Sequence, residues 1–259
     1  MSEQATAVRS APRQARFDKG THWRASLGFL TLATDMVMEE NIFRLAPPGV
    51  GTHIMRLRTD NDCNVARLGE HVHGMAEAAS LVQPDAPPDV VCYACTSGSI
   101  VIGEDRVVEE IQRGAPWAKA TTLVTGVING LRALKAERIV VATPYLDEIN
   151  AMEADFLTAK GFEVLDIQGL NIEDGVRMGR IAPDYLAEFA LEIDRPDADA
   201  IFVSCGGIRT VDVIEEIERK AGKPVVSSNQ AMMWNCFRMA GIDDEIEGYG
   251  RLMRLPGAS

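Results

Sequence analysis

Short apolar segments alternate with longer segments of helical periodicity along most of this chain. From Leu27 onward, apolar runs such as LGFLTL (27–32), DVVCYA (89–94) and RIVVAT (138–143) are each followed by apolar residues at helical spacing. Buried strands that alternate with helices of about ten residues or more form parallel sheets with helices on their faces. The pattern therefore predicts an α/β fold with right-handed connections between its strands.

The boundaries of the predicted elements follow from the same pattern. The predicted strands cover residues 27–32, 52–57, 89–94, 138–143, 162–167, 200–205 and 224–228. The predicted helices cover residues 36–45, 65–82, 100–112, 122–135, 146–160, 183–193, 211–221 and 230–240. The final helix follows the last strand, and it is placed to return to the first half of the molecule.

The two halves of the chain resemble each other. DVVCYACTSGS (89–99) and DAIFVSCGGIR (199–209) both place a cysteine and small residues after an apolar strand. This repetition predicts two pseudo-symmetric lobes, each a parallel sheet flanked by helices, with the active site in the cleft between them. We expect a flexible tail over residues 1–25, a first lobe over 26–121 and 229–259 that carries Cys95, and a second lobe over 122–228 that carries Cys205.

Charge and hydropathy exclude two classes of function. The chain has 26 Lys and Arg against 38 Asp and Glu, a net charge of -12, and no dense basic stripe, which disfavours nucleic acid as a partner. No apolar run approaches the roughly 20 residues of a membrane span. The 5 cysteines are unevenly spaced and odd in number, which suits free thiols in the cytoplasm rather than a disulfide framework or a zinc site. We expect a cytoplasmic homo-oligomer whose partner is a small carboxylate substrate.

Cys95 and Cys205 are the main candidates for chemistry. Each stands at the carboxyl end of a predicted strand, where open α/β sheets bind ligands. Thr96 and Ser97 follow Cys95, and Gly206 and Gly207 follow Cys205, so that backbone amides can contact an anion. A helix N-terminus after Cys95 is expected to lower the pKa of its thiol. Two thiols on opposite walls can move protons at one carbon, or one thiolate can add to an activated double bond.

The motifs resemble those of a known superfamily. CTSGS around Cys95, ATPYLDEIN with Tyr145, GLNIEDGVRMGRI and SCGGIRT around Cys205 are similar to the Asp/Glu racemase superfamily, in the branch of maleate cis-trans isomerase and arylmalonate decarboxylase. Within that branch, LATDMVMEE and the chain length are most like the proteins encoded with ectoine-utilisation enzymes. The resemblance runs from about Leu27 to Gly241.

The resemblance carries expectations about mechanism. It implies two lobes, no metal and no organic cofactor. It implies a nucleophilic role for Cys95, an acid/base role for Cys205, and a hydrogen bond from Tyr145 to a substrate carboxylate. Decarboxylases of the branch use the second cysteine alone, so the presence of both favours an isomerase.

Asp35 departs from the isomerase pattern, which has an asparagine there that binds a carboxylate. An ionised Asp35 would repel a dicarboxylate unless its pKa is raised or it pairs with a cationic group of the substrate. The alternative is that Asp35 caps the helix that follows it. The pattern also has an asparagine near Gly175 that this chain lacks.

Several functional hypotheses remain open from the sequence. The first is a cofactor-independent cis-trans isomerase of a small carboxylic acid. The alternatives are a racemase of an ectoine-derived or Asp/Glu-like amino acid, an arylmalonate-type decarboxylase, and a binding protein without turnover. Arg209, Asn229 and Gln230 are secondary candidates for the cleft, whereas the histidines and the remaining cysteines are interpreted as structural.

Overall fold

A computed structural model describes residues 10–256 of the chain. Residues 1–9 of the predicted tail lie outside the described residues. Residues 10–24 contain neither helix nor strand, and most of their side chains are exposed. Regular structure begins at Ala25, where the first strand starts.

Strands and helices alternate through the described chain. The strands are β1 (Ala25–Leu32), β2 (Val50–Leu57), β3 (Val90–Tyr93), β4 (Lys119–Thr122), β5 (Arg138–Thr143), β6 (Glu163–Gly169), β7 (Ala200–Val203) and β8 (Val225–Ser227). The helices are α1 (Met38–Leu45), α2 (Val65–Glu70), α3 (Met75–Ser80), α4 (Thr96–Ile102), α5 (Glu104–Gly114), α6 (Leu123–Ala133), α7 (Asp147–Ala159), α8 (Gly175–Met178), α9 (Pro183–Glu192), α10 (Ile214–Ala221) and α11 (Ser228–Met239). Short 3-10 turns cover His71–Gly74, Thr210–Asp212 and Leu252–Arg254.

The strands form two parallel sheets of 4 strands each, with the same order of strands. One sheet runs β2-β1-β3-β4 and the other runs β6-β5-β7-β8. The strands β3 and β7, which precede the two candidate cysteines, therefore occupy equivalent inner positions. β3 and β7 are also fully buried, as expected for strands covered on both faces. The predicted α/β fold with two similar sheets is confirmed.

Two equivalent helices, α6 and α11, pack against each other between the sheets. α6 follows β4 and α11 follows β8, and their contact is the most extensive between any two helices described. The pairing is close because α6 presents Gly126, where a Cβ would lie 2.8 Å from the carbonyl oxygen of Ala231. α11 also contacts β3 and β4, as expected of a last helix that returns to the first half.

The structure corrects three predicted elements. The strand β4 is absent from the predicted elements, whereas the helix predicted over 122–135 is present directly after it as α6. The helix predicted over 65–82 is two short helices joined by a 3-10 turn, and the helix predicted over 100–112 is two helices that meet at Gly103. Gly103 has φ +91, a backbone conformation that interrupts a right-handed helix and favours glycine.

The lobe boundaries at 121/122 and 228/229 stay a prediction. Because α6 and α11 contact strands of both sheets, neither helix belongs to one sheet alone. No helix among residues 10–256 is long and apolar enough to cross a membrane.

Candidate active site

One pocket lies where the carboxyl ends of β3 and β7 approach each other, with an empty volume of about 620 Å³ that includes its open mouth. The eight main site residues predicted from the sequence all line this pocket: Asp35, Cys95, Thr96, Ser97, Tyr145, Cys205, Gly206 and Gly207. Asp35 and Cys95 follow strands of one sheet, and Tyr145 and Cys205 follow strands of the other, so the two halves build the pocket jointly.

Cys95 caps the N-terminus of α4 through its own side chain. The amide of Gly98 donates to the Cys95 Sγ at 3.3 Å, and the Ser97 hydroxyl lies 3.8 Å from the same sulfur. Burial raises the pKa of the Cys95 thiol, and hydrogen bonds from Gly98, Ser97 and Tyr93 offset part of this rise. The expected lowering of this pKa by the helix N-terminus is therefore wrong, because desolvation outweighs the hydrogen bond from the first turn of α4.

Cys205 occupies the equivalent position after β7 with a strained backbone. Its φ of 121 lies in a region that residues with a Cβ rarely adopt, at a cost on the order of 1–3 kcal/mol. The amide of Gly207 donates to the Cys205 Sγ at 3.3 Å. Burial raises the pKa of Cys205 well above its ordinary value, while a hydrogen bond from Tyr145 lowers it.

Ser228 connects the two cysteine loops at the first residue of α11. Its hydroxyl oxygen accepts a hydrogen bond from the amide of Cys205 at 2.9 Å and another from the Thr96 hydroxyl at 2.9 Å. The neighbouring Asn229 donates from its side chain to the carbonyl of Gly206 at 2.9 Å. The start of α11 therefore fixes the loop after β7 and links it to the loop after β3.

Tyr145 is fully buried, lines the pocket and lies near enough to the Cys205 thiol to lower its pKa. Burial raises the pKa of its phenol well above the ordinary value, so the hydroxyl stays protonated and can donate. Tyr93 stands in the corresponding relation to Cys95. Each candidate cysteine is thus paired with one buried tyrosine hydroxyl.

Asp35 lies both at the entrance to α1 and in the lining of the pocket. Its Oδ1 accepts hydrogen bonds from the amides of Val37 and Met38, each at 2.7 Å, at the entrance to α1. The side chain also lines the pocket, and a Cβ on Gly207 would lie 3.7 Å from its Oδ2. Burial raises the pKa of this carboxyl, against hydrogen bonds from the two amides and the charge of Arg56, which lower it.

Neutral groups dominate the polar surface of the pocket. Among the described residues, none of those lining it is a lysine or an arginine. Its acidic side chains are Asp35, Asp60 and Asp62. A carboxylate bound here must therefore be held by hydroxyl and amide donors rather than by a cationic side chain.

Three lining residues were not singled out as ligands from the sequence. Cys63, interpreted as structural, lines the pocket with its sulfur 4.0 Å from the Ser97 hydroxyl, and burial raises its pKa to about 12. His71 lines the pocket and is buried. Asn61 lies beside Gly175, where the isomerase pattern has its missing asparagine, and accepts from the amide of Val176 at 3.0 Å. These residues come from the segment after β2, whose sequence carries no motif that would have revealed them.

The secondary candidates are mostly structural. Arg209 donates to the carbonyl of Ile181 at 2.9 Å and does not line the pocket, and Gln230 completes the capping box of α11. Cys92 and Cys236 are fully buried beside each other. Within residues 10–256, no group of three or more His, Cys, Asp or Glu side chains could hold a metal ion.

Comparison with known proteins identifies relatives with named activities. The family model described as arylmalonate decarboxylase matches residues 73–253. The arylmalonate decarboxylase of Bordetella bronchiseptica is 39% identical over 143 residues, 54% of this chain and 60% of that protein. The maleate isomerase of Nocardia farcinica is 28% identical over 212 residues, 79% of this chain and 83% of that protein.

The solved structures show the same fold. A mutant of the Nocardia farcinica maleate cis-trans isomerase, with a covalently bound succinylcysteine intermediate, superimposes with a TM-score of 0.82 at 24% identity, covering 89% of this chain and 98% of that one. The family model spans well over half of the chain, including both candidate cysteines. This chain therefore belongs to the arylmalonate decarboxylase family, in agreement with the branch indicated by its motifs.

Proposed function

We propose that this protein is a cofactor-independent isomerase that interconverts the cis and trans forms of a small unsaturated dicarboxylate such as maleate. The observation that carries the proposal is the position of Cys95 and Cys205 in one pocket, at the ends of equivalent strands. A decarboxylase of this family needs one cysteine, whereas addition and elimination at a double bond benefit from a nucleophile and a separate acid.

The proposed reaction uses the two thiols in turn. The Cys95 thiolate adds to one alkene carbon and forms a carbon–sulfur bond, while the Cys205 thiol gives its proton to the other carbon. The former double bond is now single and can rotate. Cys205 then removes a proton from the carbon it protonated, the double bond re-forms in the trans arrangement, and Cys95 leaves as a thiolate.

Neutral donors stabilise the charge that develops on the carboxylates. Thr96, Ser97 and Tyr145 line the pocket, and Gly206 and Gly207 lie opposite with their backbone amides. Such preorganised donors in a water-poor pocket stabilise an enolate-like carboxylate more strongly than they do in water. The succinylcysteine bound in the Nocardia farcinica enzyme supports a covalent step of this kind.

A racemase of an ectoine-derived or Asp/Glu-like amino acid is the second candidate. Asp35 favours it, because an ionised carboxylate in the pocket would pair with the ammonium group of an amino acid and repel a second carboxylate. The same two thiols would then remove a proton from one face of the α carbon and return one to the other.

We also propose a cytoplasmic setting and assembly into a homo-oligomer. All five cysteines lie among the described residues, and none of them forms a disulfide. Two of them are the proposed catalytic groups, which oxidation would inactivate, so a reducing compartment suits this chemistry.

Proton NMR in D₂O tests the proposal directly. The purified protein is incubated separately with maleate, aspartate, glutamate and an arylmalonate. Fumarate from maleate supports the isomerase, and deuterium at an α carbon with loss of chirality supports the racemase. Loss of carbon dioxide from the arylmalonate, retained in Cys95→Ser, would instead indicate a decarboxylase. Inactivity on maleate while another substrate turns over contradicts the proposed isomerase.

A further inference from the structure

The proposed nucleophile is held in a setting that favours its protonated form. Burial and the charge of Asp35 both raise the pKa of the Cys95 thiol. The addition step nevertheless requires the thiolate. A route is therefore needed by which the thiol proton can leave a buried sulfur.

A chain of polar contacts starts at this sulfur. The Tyr93 hydroxyl lies beside Cys95 and lowers the pKa of its thiol, and the same hydroxyl lies 2.7 Å from the Nδ1 of His71. The Nε2 of His71 lies 2.7 Å from the hydroxyl of Thr59. Tyr93 and His71 are buried, with 0% and 3% of their surface exposed, so bulk water does not compete for these bonds.

The outer end of the chain reaches the mouth of the pocket. Thr59 is half-buried and also lies 3.1 Å from the carbonyl oxygen of Asp60, to which its hydroxyl can donate. Asp60 is exposed, and both residues line the pocket. A proton that arrives at Thr59 can therefore pass to solvent.

The residue that faces Tyr93 and Cys95 has no side chain. A Cβ on Gly98 would collide with the Tyr93 hydroxyl and would lie 3.1 Å from the Cys95 sulfur. The first turn of α4 thus leaves room for the phenol beside the thiol.

We infer that Tyr93, His71 and Thr59 form a proton path that carries the Cys95 proton to the mouth of the pocket and stabilises the resulting thiolate. This inference rests on the proposed function only through the role of Cys95 as nucleophile. Tyr93 contacts the reacting sulfur, whereas His71 and Thr59 act through Tyr93 as positioning residues.

The path has two arrangements that differ by one proton. In the thiol form, Cys95 donates to Tyr93, Tyr93 donates to Nδ1 of His71, Nε2–H donates to Thr59, and Thr59 donates to the carbonyl of Asp60. When the thiol ionises, its proton passes to the Tyr93 oxygen, the phenol proton passes to Nδ1, and the Nε2 proton passes to Thr59. The original Thr59 proton leaves to water. The bonds that join Cys95, Tyr93, His71 and Thr59 are now reversed, so that Tyr93 donates to the thiolate and Thr59 donates to Nε2 instead of to the carbonyl of Asp60.

His71 takes part as a neutral ring that changes tautomer. Burial lowers its pKa to about 4, with the charge of Glu70 opposing this effect, so the imidazole is uncharged near neutral pH. The other titratable groups that act on Tyr93 and Cys95 are Cys63 and Asp35. None of these groups needs to change charge for the path to operate.

The tautomer of His71 provides the first test. Nitrogen NMR of ¹⁵N-histidine-labelled protein distinguishes a ring nitrogen that carries a proton from one that does not, and His71→Asn assigns the signals. In parallel, iodoacetamide labelling of Cys95 is followed against pH by peptide mass spectrometry. We expect the His71 proton to move from Nε2 to Nδ1 with the same midpoint as Cys95 labelling. A tautomer that stays unchanged through that midpoint overturns the inference, as does the absence of a labelling midpoint below about pH 10.

A set of variants provides the second test, because it separates the path from mere packing. Tyr93→Phe removes the donor to the thiolate and should slow labelling of Cys95 near neutral pH about tenfold or more. His71→Leu should slow it by a smaller factor, and His71→Asn, whose amide can donate to Tyr93 or accept from it, should restore it. His73→Asn changes an exposed histidine in the same 3-10 turn. It is the matched control, and its Cys95 should be labelled at the wild-type rate.

Labelling of Cys95 in Tyr93→Phe at the wild-type rate overturns the inference. Because labelling needs no substrate, inactivity toward maleate would contradict the proposed function without touching this result.

Discussion

The two oxygens of Asp35 have different surroundings, and this difference links the fold to specificity. Oδ1 accepts the first two amides at the entrance of α1, while the carboxyl as a whole is buried at the pocket. A protonated Asp35 would offer the pocket a donor, as an asparagine does, whereas an ionised one would repel a dianion. For the proposed isomerase, we therefore expect the protonation state of Asp35 to decide whether a dicarboxylate binds.

Asp35→Asn should broaden the pH range for dicarboxylates. The amide oxygen can still accept from Val37 and Met38, so the fold should be retained. With maleate, kcat/KM of the wild type should fall as Asp35 ionises, at a higher pH than for an ordinary carboxyl because burial raises its pKa. The variant should keep its kcat/KM for maleate as the pH rises. At the upper end of the pH range, this kcat/KM should exceed that of the wild type about tenfold. Asp60→Asn, at the exposed rim, is the control, and identical pH profiles for Asp35→Asn and wild type would make Asp35 only a cap.

Cys205→Ser should arrest the reaction after addition. Water that enters through the open mouth of the pocket can still supply the proton that completes the adduct. The serine hydroxyl is a poor base, however, so it cannot remove the proton that precedes release of Cys95. We expect turnover to fall at least about a thousandfold and intact-protein mass spectrometry to detect one dicarboxylate bound per chain. The double variant with Cys95→Ser should carry no adduct. An adduct on that double variant, or full turnover in Cys205→Ser, would contradict the assignment of roles.

The site could be predicted where its residues follow strand ends, and not elsewhere. Cys95 and Cys205 follow apolar strands, so their sequence positions already indicate the edge of a sheet. Tyr93 instead looks like a core residue of β3, and its bond to His71 joins residues 22 positions apart. Such a contact depends on how the 3-10 turn packs against β3, which no local pattern reveals.

At the scale of elements, the sequence predicts the strands that contain a run of apolar residues. β4 has the sequence KATT, and only its two threonines are buried, so it shows no apolar run. It lies at the edge of its sheet, where one neighbour suffices to hold a strand. The helices around Gly103 and His71 were predicted as continuous because apolar spacing persists across the break, while the backbone conformation changes.

Gly126→Ala should destabilise the pairing of α6 with α11. The added Cβ would lie 2.8 Å from the carbonyl oxygen of Ala231 and 3.0 Å from the Cα of Met232, both of which are backbone atoms that cannot rotate away. The expected loss is about 1–3 kcal/mol in the free energy of unfolding, despite the better helix propensity of alanine. Gly69→Ala in α2 is the control, because nothing lies within 4 Å of its Cβ, and it should be neutral or stabilising. Urea unfolding of both variants measures the difference, and equal stability would show that the helices can separate at little cost.

At the scale of the whole molecule, the two halves share a strand order. They differ in the buried titratable group that lies on the side of each candidate cysteine. Behind Cys205, the buried Glu153 of α7 accepts a hydrogen bond from Ser204 at 2.7 Å, and burial raises the pKa of this carboxyl to about 7. On the side of Cys95, the buried histidine His71 has a lowered pKa of about 4. The two groups make stability depend on pH in opposite directions, since Glu153 favours the folded state at low pH and His71 disfavours it there.

Glu153→Gln isolates one of these contributions. The raised pKa of Glu153 means that its contribution to stability is fully present below its unfolded pKa of 4.5 and is lost as the pH rises toward 7. Over that interval the loss is on the order of 3 kcal/mol, because each pKa unit corresponds to about 1.4 kcal/mol. Glutamine keeps the shape without the charge. The free energy of unfolding of the variant should therefore rise relative to that of the wild type, by this amount, between about pH 5 and pH 8.

Glu148→Gln, on the exposed side of the same helix, is the control and should leave the pH dependence of stability unchanged. Denaturant unfolding across this range measures both, and parallel curves for Glu153→Gln and wild type would mean that Glu153 ionises in the folded protein as readily as in the unfolded chain.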